Sequence, residues 1–132
     1  MIRTLLLLVL VLSPKWAFGQ DDGRALYVQH CASCHGLNLE GQPDWMVRKP
    51  DGRLPAPPHD ATGHTWHHSD RQLFEIVKYG LGRIAPGHAT DMQPFGGVLS
   101  DEEIRAILGY IKSTWPARQQ EIQKATSAAD PG

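Results

Sequence analysis

The chain is nearly without cysteine: two among 132 residues, Cys31 and Cys34. A single pair of thiols excludes a disulfide-built scaffold. It also leaves no second pair to complete a four-cysteine zinc site, although histidines can stand in as ligands. Nor is there an excess of positive charge. Thirteen basic residues face 14 acidic ones, for a net charge of −1. No basic patch with interleaved aromatics occurs, which removes nucleic acid as a partner. The one long apolar run, Leu5 to Leu12, is too short to span a bilayer comfortably. Paired catalytic carboxylates, a nucleophilic triad and a phosphate-binding loop are all missing. Most carboxylates fall in the first turns of expected helices, where capping and the helix dipole account for them. No strand pattern, repeat or low-complexity tract is evident, so the expected class is all-α.

The N-terminus has its own organisation. Arg3, the apolar stretch Thr4 to Leu12, and Ala17-Phe18-Gly19 follow the order of a signal peptide over residues 1–19. The competing reading is an uncleaved anchor; the short apolar run favours export and leaves no stable membrane span after cleavage. Removal of the leader leaves about 113 residues, one small domain with a modest core. Arg3 and Lys15 go with it, leaving 11 basic against 14 acidic residues.

What the chain does have is Cys31-Ala32-Ser33-Cys34-His35, a Cys-x-x-Cys-His string. Two thiols on one helical turn can each form a thioether to a porphyrin vinyl group, and the next residue can offer the iron an imidazole nitrogen. A thioredoxin-like redox pair needs a βαβ context that is not found here, and half a zinc site needs further ligands. The reading adopted is one covalent haem c, attached through Cys31 and Cys34 with His35 below it. Attachment of that kind in bacteria takes place outside the cytoplasm, which agrees with the leader.

In chain order, Asp21 and Asp22 are expected to cap a first helix running to about His30. Tyr27 stands four residues after Gly23 and four before Cys31, so all three share a face. From Gly36 to Gly63 prolines and glycines leave no room for a long regular element, and wrapping a cofactor is sufficient reason for such a loop. Ser69-Asp70-Arg71-Gln72 is a capping box that opens a helix carrying Leu73, Phe74, Ile76 and Val77 and ending at Gly80. A second irregular segment holds Met92. Ser100-Asp101-Glu102-Glu103 caps another helix, whose Ile104, Ile107, Leu108, Ile111 and Trp115 form one apolar stripe ended by Pro116. Residues 117–132 are polar and are expected to form a flexible tail.

These features resemble the class I monohaem cytochromes c over residues 23–116. The resemblance implies a small all-α fold, about three helices and long loops around one covalent haem, as a domain over residues 20–116. In that family a helix bearing a glycine and an aromatic crosses a C-terminal helix bearing an aliphatic and an aromatic; Gly23 and Tyr27, then Ile107 and Tyr110, match. His35 is then the proximal ligand and Met92, followed by Gln93-Pro94-Phe95, the distal one. A thioether ligand raises the reduction potential relative to a second imidazole. Met46, beside Trp45, is read as loop packing, and His88 as a competitor if the loop rearranges. The family's Gly-Pro-x-Leu, whose proline carbonyl accepts from the proximal imidazole, becomes Ala56-Pro57-Pro58-His59. Pro57 can keep that role, while a histidine replaces the leucine.

Trp66 can pack on the haem, donate its N–H to a propionate, or simply fill the core. His59, His64, His67 and His68 invite a second metal such as copper, but their spacing matches no closed ligand set and the reading adopted is surface histidines. The expected role is a periplasmic carrier of single electrons between redox partner proteins, without catalysis of its own. Two alternatives stand beside it: the haem subunit of a larger oxidoreductase, and a sensor in which a gas displaces Met92.

Overall fold

The computed structural model describes residues 19–130. The expected leader, residues 1–19, lies outside them except for Gly19. Five α-helices and two short 3₁₀ turns, with no strand among the described residues, confirm the all-α class.

Helix α1, Gln20–His30, is capped at Gly19 and so starts two or more residues earlier than an aspartate cap at Asp21 or Asp22 would place it. Asp22 still serves it, because its carboxylate reaches back to accept the Gly19 N–H at 2.9 Å. Helix α2 is the single turn Ala32–His35. The chain then runs without helix or strand to a 3₁₀ turn at Thr65–His67. Helix α3, Asp70–Tyr79, and helix α4, Asp101–Ser113, both open on reciprocal serine capping boxes, at Ser69 with Gln72 and at Ser100 with Glu103. Each box satisfies two backbone donors that a helix start would otherwise leave without partners.

The core lies where α1 crosses α4. The stripe read from the sequence, Ile104, Ile107, Leu108, Ile111 and Trp115, is buried along its whole length, with Tyr27, Leu39, Leu73 and Leu99 around it. The crossing depends on Gly23: a Cβ there would sit 2.2 Å from the Ala106 carbonyl oxygen and 3.2 Å from the Tyr110 Cβ. Only glycine lets the two backbones come so close. One turn further on, the Tyr27 and Tyr110 rings pack at 5.5 Å. The expected partners of the crossing are therefore right, with Ala106 between them.

The C-terminal segment corrects the expectation of a flexible tail. α4 stops at Ser113, short of Pro116 as expected, but Pro116 is also the N-cap of a further helix, α5, Ala117–Ala128. This helix has no apolar stripe to betray it, and hydrogen bonds fasten it down instead. Gln123 is only 2% exposed, and its Nε2 donates to Asp70 Oδ1 at 2.8 Å and to Ser127 Oγ at 3.0 Å. Ser69 Oγ donates to Asp130 Oδ2 at 2.5 Å, and the Arg71 guanidinium grips both oxygens of the same carboxylate. Residues 117–130 thus close over the start of α3 and the 3₁₀ turn before it.

Candidate haem site

The site is built on the turn that joins α1 to α2. Cys31 donates its N–H to Tyr27 O at 2.8 Å, and its own carbonyl accepts from Cys34 at 3.1 Å and His35 at 2.9 Å. One helical turn therefore carries both thiols and delivers His35 just after them. Tyr27 braces the turn from inside, its hydroxyl donating to Gly36 O at 2.8 Å. Burial, with Cys31 next in size, pushes that phenol above its ordinary range. Both thiols are free, Cys34 exposed and Cys31 partly buried. Burial, reinforced by Cys34, pushes the Cys31 thiol up to about 11.

His35 is buried. Its Nδ1–H donates to Pro57 O at 2.9 Å, so Pro57 and not Pro58 supplies the acceptor. A carbonyl can only accept, which fixes the tautomer and leaves Nε2 with a free lone pair. Burial lowers the ring's proton affinity, and the Pro57 bond partly opposes this. A neutral imidazole, oriented by a backbone carbonyl behind it, is the form that ligates a metal.

Against His35 lies His59, the residue that departs from the family pattern. The rings stack with centroids 4.0 Å apart and planes 22° from parallel. His59 Nδ1 is 2.8 Å from Thr65 Oγ1. Burial pushes this imidazole well below the ordinary histidine range, with His35 and His64 adding to the effect.

The other histidines do not converge. His64 stacks on Trp45 at 5.4 Å and meets His68 edge-on at 5.5 Å, while His67 stacks on Trp66 at 3.7 Å. Among the described residues no three His, Cys, Asp or Glu side chains are grouped to hold a metal ion.

Among the described residues two buried donors have no hydrogen-bond partner: Trp66 Nε1 and Arg53 Nε. Arg53 Nε is 3.2 Å from Asp91 Oδ1 but lacks hydrogen-bond geometry toward it. Buried polar groups are rarely left orphaned, so the unused Trp66 N–H points to an acceptor oxygen from elsewhere. The two carboxylate side chains of a haem are such acceptors, and the residues present fit that group. Trp66 was a candidate from the sequence. Arg53 was not, because an arginine in a Pro/Gly-rich loop carries no signal until the fold buries its Nε.

Met92 lies on the second irregular segment, partly buried, its N–H donating to Thr90 Oγ1 at 3.1 Å. Its neighbour Asp91 is held by Lys49 at 2.5 Å and faces Arg53. Downstream, Phe95 and Gly96 donate their N–H groups to Val77 O at 2.8 Å and Lys78 O at 3.0 Å, pinning the loop to the end of α3. Met46 does not pack in its loop as expected; it is 74% exposed. His88 is exposed as well.

Comparison with known proteins identifies the family of this domain. The chain is 22% identical over 105 residues to the cbb3-type cytochrome c oxidase subunit FixP of Sinorhizobium medicae (strain WSM419), a match covering 78% of this chain and 32% of that protein. It is 30% identical over 106 residues to the fructose dehydrogenase cytochrome subunit of Gluconobacter japonicus, covering 76% of this chain and 20% of that one. The chain thus spans about a third and a fifth of these two curated relatives. No solved structure matches. Residues 19–111, which contain the cysteine pair, His35, the Pro57 loop and Met92, match the family described as cytochrome C oxidase, cbb3-type, subunit III. The chain belongs to that family and is a class I cytochrome c domain.

Proposed function

We propose that the chain holds one haem c through thioethers to Cys31 and Cys34, with His35 and Met92 as axial ligands, and passes single electrons between redox partner proteins in the periplasm. The observation that carries this reading is the His35–Pro57 hydrogen bond. It presents a neutral imidazole with its Nε2 free, directly after the two thiols. When bound, the haem supplies an iron that gains and loses one electron. The chain's residues do the rest. His35 and Met92 would be the residues that hold the iron, one from the cysteine turn and one from the second irregular segment. Trp66 Nε1 and Arg53 Nε would donate to the haem carboxylates, and the apolar side chains of α1, α3 and α4 would keep water back. Ligand identity, burial and these hydrogen bonds set the potential.

A second reading has an observation of its own. Both curated relatives are named as subunits, and each is several times longer than this chain. A haem domain serving a larger oxidoreductase therefore stands beside the free carrier. Sedimentation of the exported protein separates them: a monomer favours the carrier, and co-purification with a dehydrogenase or oxidase favours the subunit.

The primary test is the absorption spectrum of the purified full chain beside Met92→Ala. A covalent c-type haem whose methionine-to-iron charge-transfer band disappears in the variant is the expected result. A band that survives means another residue is the distal ligand. Loss of covalent haem in Cys31→Ser and Cys34→Ser completes the assignment.

A further inference from the structure

We propose that His59 is a positioning residue for the His35 imidazole, setting the plane of the ring that binds the iron. The inference rests on the reading of His35 as proximal ligand.

Three contacts hold His59 against its neighbour. Its N–H donates to Leu39 O at 2.8 Å, and its carbonyl accepts from Trp115 Nε1 at 2.7 Å. Its side chain reaches Thr65: with the Thr65 hydroxyl directed at Pro58 O (3.4 Å), His59 Nδ1–H donates to Thr65 Oγ1 at 2.8 Å. Thr65 is itself buried at the start of the 3₁₀ turn. Gly63 presses on the same loop from the other side, since a Cβ there would lie 2.1 Å from Pro58 O. The loop cannot relax away from His35 without disturbing α4 through Trp115 and the glycine packing together.

This bracing does something a leucine at position 59 does not. The Pro57 bond places one atom of the His35 ring. It leaves the ring's swivel loosely defined, because χ2 of histidine is a broad torsion and a carbonyl accepts over a wide range of angles. A flat ring stacked at 4.0 Å narrows that freedom, since tilting one plane against the other opens gaps or forces clashes. An aliphatic side chain has no plane to impose. Groups behind a metal ligand act in this way on the metal's electronic state. For a low-spin ferric haem, the direction of the axial imidazole plane decides how unpaired spin is spread over the macrocycle.

The test uses the haem-loaded full chain with His59→Leu, His59→Phe and Thr65→Val, read by electron paramagnetic resonance and by the proton shifts of the haem methyl groups. The expected result is altered g values and a changed order or spread of methyl shifts in His59→Leu. His59→Phe, which keeps a flat ring, stays close to the parent, and Thr65→Val shows a weaker form of the leucine effect. Parent-like spectra in His59→Leu overturn the proposal; should that variant not load haem, parent-like spectra in Thr65→Val overturn it instead. A parent protein without a low-spin, histidine-ligated c-type haem overturns the ligand reading itself.

Discussion

Trp66 is the residue whose chemistry is least satisfied by the polypeptide alone. Its ring is stacked on His67, yet its buried N–H has nothing to bind. A hydrogen bond to a charged acceptor is worth about 1.5–3 kcal/mol. Trp66→Phe keeps most of the ring area and removes only the donor. In the haem-loaded protein this substitution is expected to lower stability by about 1.5–3 kcal/mol in a denaturant titration, with the covalent haem spectrum retained. Equal stability of the two proteins would show that Trp66 is plain core packing. Arg53 differs in that its carbon stem crosses a loop that also holds Asp51 and faces Asp91. Arg53→Lys keeps the charge but loses the planar fork, and is expected to shift the haem's reduction potential, read by redox titration.

Among the elements, α5 shows how a helix can be stable without an apolar face. It is fixed by the polar groups it brings to the start of α3, and Ser69 is the joint between them. The Ser69 hydroxyl accepts from Gln72 N as the α3 cap and donates to Asp130. Ser69→Ala removes both bonds, and an N-cap alone costs about 0.5–2 kcal/mol. Thermal unfolding monitored by circular dichroism should register at least that loss. Acid should act at the same place. Ser69 and then Arg71 hold the Asp130 carboxyl below its usual value of 3.8. The folded carboxyl binds its proton less readily than the unfolded one, so its contribution is complete above about pH 4 and fades as pH falls through the lowered value. Hydrogen-exchange protection in Ala117–Ala128 is expected to fall below about pH 4 before that of α1 and α4 does. Coincident loss in all three helices would count against a separate clamp. The Met92 loop is tied differently, by backbone bonds to the end of α3 and by the Lys49–Asp91 pair. That pair is exposed, so it is worth little by itself.

At the scale of the whole molecule the α1–α4 crossing decides whether the pieces meet. Gly23→Ala places a methyl group where the Ala106 carbonyl already is. The helices must part, at a cost of about 1–3 kcal/mol for an overpacked contact. Tyr27 sits one turn along the same helix and braces the cysteine turn through Gly36, so the disturbance should reach the haem. A lower unfolding midpoint together with a shifted reduction potential is expected for Gly23→Ala, and an unchanged potential would mean that crossing and site are independent. The same architecture explains why so small a domain holds together. The two long irregular segments are fastened both by specific hydrogen bonds to the helices and by single core side chains, Leu39 from the first and Leu99 from the second.

Local chemistry was legible in the amino-acid order alone. The Cys31–His35 string, the two capping boxes and the α4 stripe depend on spacings of three and four residues, which a single helical turn realises wherever it occurs. Pro57 as acceptor could be named because the family resemblance placed it, and Trp66 as a donor because of its amphipathic ring; the fold bonds Pro57 to His35 and buries the Trp66 N–H without a protein partner. What the order of residues did not contain were contacts made across long separations. Gln123 of α5 meets Asp70, His59 meets both His35 and Trp115, and Arg53 turns its Nε inward. In each case a polar side chain that looks solvent-bound in sequence is wholly or partly covered because another segment arrives beside it. Hydrophobic periodicity cannot announce such pairs, since their stability comes from directional bonds between groups brought together only when the chain has closed.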